Sequence, residues 1–125
     1  MNPYVVVFVG AGLGGALRHG VNLAAARLVG TGFPFGTLAV NVTGAFIMGV
    51  AAAWFALVAA PSQPWRLFLT TGVLGGFTTF SAFSLETALL IERGTPLAAG
   101  AYVLLSVAAS IGALFLGLMV VRLVA

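Results

Sequence analysis

Apolar residues run along this chain in four long blocks, each closed by a short cluster of glycine, proline or polar residues. The blocks extend from about Pro3 to Val29, Gly36 to Ala59, Trp65 to Arg93 and Leu97 to Val124. Between them lie Gly30-Thr-Gly-Phe-Pro34, Pro61-Ser-Gln-Pro64 and Gly94-Thr-Pro96. Such clusters end helices, because proline lacks the N–H the next turn needs and glycine accepts the turn that follows. Each block exceeds the roughly 20 residues a helix needs to cross a hydrocarbon core. The pattern predicts an all-α membrane protein, with four transmembrane helices in one domain over residues 1–125 and no soluble appendage.

The third block departs from a plain span. Its centre reads Gly72-Val-Leu-Gly-Gly-Phe-Thr-Thr-Phe-Ser-Ala-Phe-Ser84, a mixture of glycine, hydroxyls and phenylalanine. The third helix is therefore expected to break near its centre. Non-helical backbone at membrane depth survives only where protein or a polar cavity satisfies its N–H and C=O groups, which makes the break a functional-site candidate.

Composition sharpens the class. Of the 125 residues 62% are hydrophobic and 6% charged, where a soluble domain carries about a quarter charged. The net charge of +3 comes from five arginines, scattered singly, and two glutamates. Without a basic cluster, nucleic acid is excluded as a partner. The lack of cysteine removes disulfides and thiolate chemistry. No basic residue precedes the apolar run from Tyr4 to Val9, so the N-terminus reads as a first span and not as a signal peptide. Gly10-Ala-Gly12-Leu-Gly-Gly15 matches a dinucleotide fingerprint in letters only, since the first acid of the chain is Glu86. Gly10, Gly14 and Ala11, Gly15 read better as small residues that let helices approach.

An even number of spans puts both termini on one side, and loop arginines then set orientation. Arg66 and Arg122 fall on the terminal side, Arg27 and Arg93 opposite, and Arg18 lies too deep to count. This balance leaves dual topology open beside a single orientation set by Arg18. A four-helix bundle fills its own core with side chains, so transport favours a homo-oligomer. Two oppositely inserted copies would make an antiparallel dimer.

Several polar residues lie within the spans. Arg18, with His19 and Asn22, faces either a water-filled vestibule or a carbonyl or interface that takes the guanidinium. His19 has no partner for a metal site. Asn41 serves as interhelical glue or offers N–H groups to an anion, and taken by itself it favours glue. Tyr102, Ser106 and Ser110 recur every four residues on one face of the fourth span. Serines there either bond back to their own helix or line a polar track, and three polar tips in a row favour the track. Phe77, Phe80 and Phe83 alternate with Thr78, Thr79, Ser81 and Ser84. Their positive ring edges suit a small anion, while freed carbonyls at a break suit a hard cation such as Na⁺. Glu86 lies in the second half of the same span.

Gly14-Gly15 with Arg18, then Gly36-Thr-Leu-Ala-Val-Asn41 with Gly44, and above all Gly75-Gly-Phe-Thr-Thr-Phe-Ser-Ala-Phe83 resemble the Fluc-type (CrcB) fluoride channels across all four spans. The resemblance implies an antiparallel dual-topology homodimer in the plasma membrane that exports fluoride passively through two pores around a structural Na⁺. It assigns the backbone carbonyls of Gly75 and Thr78 to Na⁺, two from each subunit. It places Asn41, Thr79, Phe80, Phe83, Glu86, Tyr102, Ser106 and Ser110 on the ion pathway, with Arg18 as a vestibule or structural cation. Ala82 stands where the family often has threonine, leaving the track one hydroxyl short, and His19 stands where an aromatic residue is usual.

The rival transporter is a small dual-topology proton-coupled multidrug exporter. That mechanism wants a carboxylate in the first span, and none is present. A non-transporting subunit of a larger membrane complex would use the glycines for packing alone. No Ser/His/Asp set, paired carboxylates or metal-ligand spacing supports an enzyme.

Overall fold

The computed structural model describes the whole chain, Met1–Ala125. Four helical stretches are long and apolar enough to cross a membrane: Pro3–Val29, Phe35–Leu57, Gln63–Glu92 and Pro96–Val124. The first is α1 and the second α2. The third is composite, with α3 (Gln63–Leu67), a π-helical segment Phe68–Leu74, α4 (Gly75–Phe77) and α5 (Phe80–Glu92). The fourth is α6.

Local chemistry sets these ends. The Asn2 side chain accepts a hydrogen bond from Tyr4 N at 2.8 Å, and Pro3 begins α1 where no N–H is needed. Gly30 closes α1 at φ 80°, a conformation glycine adopts without steric cost. At the end of α2 the N–H groups of Val58 and Ala59 both reach Trp54 O, at 2.9 and 3.1 Å, which stops the helix short of Pro61. Gly94, at φ 79°, ends α5, and the Thr95 hydroxyl and amide both bond to Leu90 O before Pro96 opens α6.

Only 18 of 125 residues are buried, and side chains such as Tyr4, Phe8, Leu97 and Leu123 lie almost wholly on the surface. In water that distribution would be a large unpartnered apolar face, whereas in lipid it is the expected exterior. With no hydrophobic force between helices in a bilayer, packing rests on close backbone approach. Glycines supply it at two seams. Gly14 lies against the backbone of Val73 and Phe77, and a Cβ there would come within 2.8 Å of Phe77 N. Gly49 and Gly117 bring α2 and α6 together, where a Cβ on Gly117 would come within 2.8 Å of Val50 N. Of the four small residues of the α1 motif, Gly10, Ala11 and Gly14 meet the third span, while Gly15 faces open space.

The π-helical segment was not foreseen from composition. Its wider turns bring Gly72 against α1, and a Cβ on Gly10 would come within 2.9 Å of Gly72 Cα. Past it, Thr78 (φ −90°, ψ 156°) and Thr79 (φ −152°, ψ 125°) are extended, between the end of α4 and the start of α5. A small cluster of Phe83, Leu90, Ala99 and Tyr102, with Phe33 packed against it, forms the core between α5 and α6.

Candidate functional site

The extended step at Thr78 and Thr79 has to settle its hydrogen bonds without a helix, and side chains from α1 and α2 do part of this. Asn41 Oδ1 accepts from Thr79 N at 2.8 Å, and Asn41 Nδ2 donates to Thr79 O at 3.0 Å. One side-chain amide thus pairs with both polar groups of Thr79. Arg18 Nε donates to Gly76 O at 3.1 Å. Thr79 in turn caps α5, its hydroxyl accepting from Ala82 N at 3.1 Å and lying 3.2 Å from Ser81 Oγ. The Thr78 hydroxyl bonds back to Leu74 O at 2.9 Å.

Beside the step, α2, α5 and α6 enclose a groove of about 510 Å³. Asn41, Thr79, Phe80, Phe83, Ser106 and Ser110 all line it. The Phe80 and Phe83 rings lie 5.4 Å apart at 60°. Phe83 is buried, whereas Phe80 is 77% exposed at the groove's open side. The hydroxyl oxygens of Ser106 and Ser110 are buried and have no hydrogen-bond partner. Elsewhere in the spans such groups turn back on their own helix: Thr70 to Arg66 O, Ser84 to Phe80 O and Thr87 to Phe83 O. Buried polar groups are almost always paired, so two orphaned hydroxyls on one face of one groove mark a place for a polar guest.

Glu86 and Tyr102 lie apart from that groove. Thr37 Oγ1 donates to Glu86 Oε1 at 2.7 Å and Tyr102 Oη to Oε2 at 3.1 Å, so each carboxylate oxygen holds one hydroxyl. Thr37 and Tyr102 are almost completely buried. Tyr102 meets Phe83 at 5.2 Å with the rings tilted by 53°, and Phe33 meets Tyr102 edge-on at 5.5 Å. Glu86 and Thr37 also line a second cavity of about 460 Å³, shared with Asn22, Phe33 and Arg93. Phe83 therefore stands with one side to the groove and the other to Tyr102, whose hydroxyl reaches the carboxylate at the edge of the second cavity. Thr37 escaped attention as an individual residue, although it lies four positions before Asn41 on the same face of α2.

A family model described as CrcB-like protein, Camphor Resistance (CrcB), matches residues 5–118. The chain belongs to the CrcB family. Among curated CrcB relatives, a protein of Methylobacterium nodulans named fluoride-specific ion channel FluC is 63% identical over 118 residues, 94% of each chain. One of Granulibacter bethesdensis with the same name is 58% identical over 122 residues, covering 98% of this chain and 96% of its own. The region that matches the CrcB model contains the extended step, the groove and the Thr37–Glu86–Tyr102 cluster.

Proposed function

We propose that this CrcB chain is a fluoride-selective channel of the plasma membrane that lets cytoplasmic fluoride leave down its own electrochemical gradient and so protects the cell. The observation that carries the reading is the pair of orphaned hydroxyls, Ser106 and Ser110, in the groove with Asn41 and the phenylalanines. The names of the relatives point the same way.

Fluoride is small and strongly hydrated, so a narrow path must replace lost water with donors. Serine hydroxyls rotate to donate wherever an anion stands. Asn41 has two amide hydrogens and gives one to Thr79 O, leaving the other for the groove. Phe80 and Phe83 add the positive edges of their rings while excluding bulk water. At Tyr102 the situation changes, because its hydroxyl and that of Thr37 are held by Glu86. An anion arriving there competes with the carboxylate for the same two donors, so passage requires these hydroxyls to turn from Glu86 to fluoride and back.

The working unit in this reading is an antiparallel dual-topology homodimer with a broken third helix at its centre. The groove is open on the side where Phe80 is exposed, and a second copy would close it. A structural Na⁺ fits the carbonyls at the break. The N–H that would close on Gly75 O goes to Asn41, and Thr78 O accepts no hydrogen bond within the chain. Hard carbonyl oxygens suit Na⁺, and Gly75 and Thr78 of each subunit would hold it. Bound there, the ion would supply the positive charge that lets four carbonyl dipoles converge.

Reconstituting the purified protein alone in liposomes tests the function. Fluoride efflux that far outpaces chloride efflux is the expected result, and its absence in a folded preparation overturns the proposal.

A further inference from the structure

Between Gly75 and Thr79 the carbonyls are shared out by side chains that belong to other helices. Arg18 from α1 takes Gly76 O, and Asn41 from α2 takes Thr79 O. Asn41 also takes the Thr79 N–H, at 2.8 Å. In a continuous helix that N–H would close on the carbonyl four residues earlier, which is Gly75. With Asn41 in its place, Gly75 O loses its helical donor. The Thr78 carbonyl, in extended backbone, accepts nothing within the chain. Gly75, Phe77 and Thr78 are the carbonyls left without these side-chain donors; they include the two assigned to the cation, and one asparagine accounts for the freedom of Gly75.

The same stretch of α2 holds the step in place sterically. Gly44 lies under the Thr78 methyl, where a Cβ would collide with it. The Thr78 hydroxyl is tied to Leu74 O, which fixes its side chain away from the carbonyl. Asn41 and Gly44, on adjacent positions of one face of α2, thus fix both residues of the step.

We propose that Asn41 is a positioning residue for the cation site: its amide replaces Gly75 as the partner of Thr79 and so keeps the Gly75 carbonyl available to Na⁺. This rests on reading Gly75 and Thr78 as cation ligands. Because Asn41 also lines the groove, the two ions share one side chain. An anion drawn to the second Nδ2 hydrogen acts on the same amide that holds the Thr79 peptide. Cation binding and the anion path are thereby linked through α2 and not only through the helix that carries the carbonyls.

Thermal unfolding of the purified, assembled protein as a function of Na⁺, at constant ionic strength set with a bulky organic cation, tests this without measuring transport. Wild type should be stabilised by Na⁺. Asn41→Ala, which lets Thr79 N–H return to Gly75 O, should need about 10–100-fold more Na⁺ for the same stabilisation, the usual effect of losing an outer-shell partner. Asn41→Asp keeps an acceptor for that N–H and should remain at least as sensitive as wild type. Ser110→Ala should leave the Na⁺ response unchanged while fluoride efflux falls. An Asn41→Ala response equal to that of wild type overturns the inference alone. A wild type indifferent to Na⁺ overturns the cation reading as well. If Asn41→Ala does not fold, hydrogen exchange on wild type decides: a protected Thr79 amide supports the pairing, and free exchange overturns it.

Discussion

Tyr102 and Thr37, from helices α6 and α2, donate to opposite oxygens of the Glu86 carboxylate. A carboxylate within a span is expensive unless its charge is answered by hydrogen bonds, and these two hydroxyls are the partners the chain provides. The cluster therefore contributes to stability at rest, and in the proposed channel its hydroxyls would supply donors to an ion in transit.

Tyr102→Phe separates those roles. The ring keeps its packing between Phe33 and Phe83, but Glu86 Oε2 loses its donor. We expect a loss of about 1–3 kcal/mol in unfolding free energy, the cost of leaving such a group unpaired, together with slower fluoride efflux. Glu86→Gln should relieve the stability cost in the double variant, because a neutral amide tolerates the missing bond better. A Tyr102→Phe protein as stable as wild type would show that Glu86 does not depend on this bond.

Ser106 and Ser110 carry the opposite expectation. Their hydroxyls are unpaired, so Ser106→Ala and Ser110→Ala remove no internal hydrogen bond and should leave stability within about 0.5 kcal/mol of wild type. A hydrogen bond to a charged partner is worth about 1.5–3 kcal/mol, so efflux should fall about 10–100-fold. Hydroxyls that merely fill space would give unchanged flux, and unfolding by denaturant alongside liposome efflux measures both quantities.

The four spans were legible because apolar blocks of sufficient length, closed by glycine and proline, leave the backbone no other way to meet lipid. The shared face of Tyr102, Ser106 and Ser110 was legible from the four-residue spacing. What each faces was not. Periodicity describes one helix, and the partner across a contact belongs to another: Glu86 draws Tyr102 away from the serines, which are left to the groove. The grip of Asn41 on Thr79 was half visible, as a polar side chain in need of partners, yet which peptide it would take depended on how α2 lies against the step. The π-helical turns at Phe68–Leu74 had no sequence signal; they come with a demand for close approach that involves a second helix, Gly72 meeting Gly10 of α1.

That demand for close approach distinguishes glycines only a few residues apart. A Cβ at Gly14 would lie 2.8 Å from Phe77 N and collide with Val73 O, whereas one at Gly12 meets nothing within 4 Å. Gly14→Ala should destabilise by about 1–3 kcal/mol or more through overpacking and reduce the yield of assembled protein. Gly12→Ala should lie within about 0.5 kcal/mol of wild type. Size-exclusion profiles and thermal midpoints of the two variants check this, and equal behaviour would remove the α1 seam as a packing constraint.

Phe80 and Phe83 differ in burial, and the proposed channel would use them differently. Phe83 is 8% exposed and touches Tyr102, while Phe80 is 77% exposed and its ring meets Phe83 at a tilt. Phe83→Ala empties part of the core and should cost about 3–5 kcal/mol, so any loss of flux there mixes structure with function. Phe80→Ala removes a ring whose aromatic contact within the chain is Phe83 alone. It should cost clearly less in stability than Phe83→Ala while still slowing fluoride efflux. Phe80→Leu, which keeps bulk but loses the polarised edge, then asks whether the quadrupole matters: efflux near the wild-type rate would mean that the ring acts by exclusion of water, and a rate as low as that of Phe80→Ala would mean that its edge meets the anion.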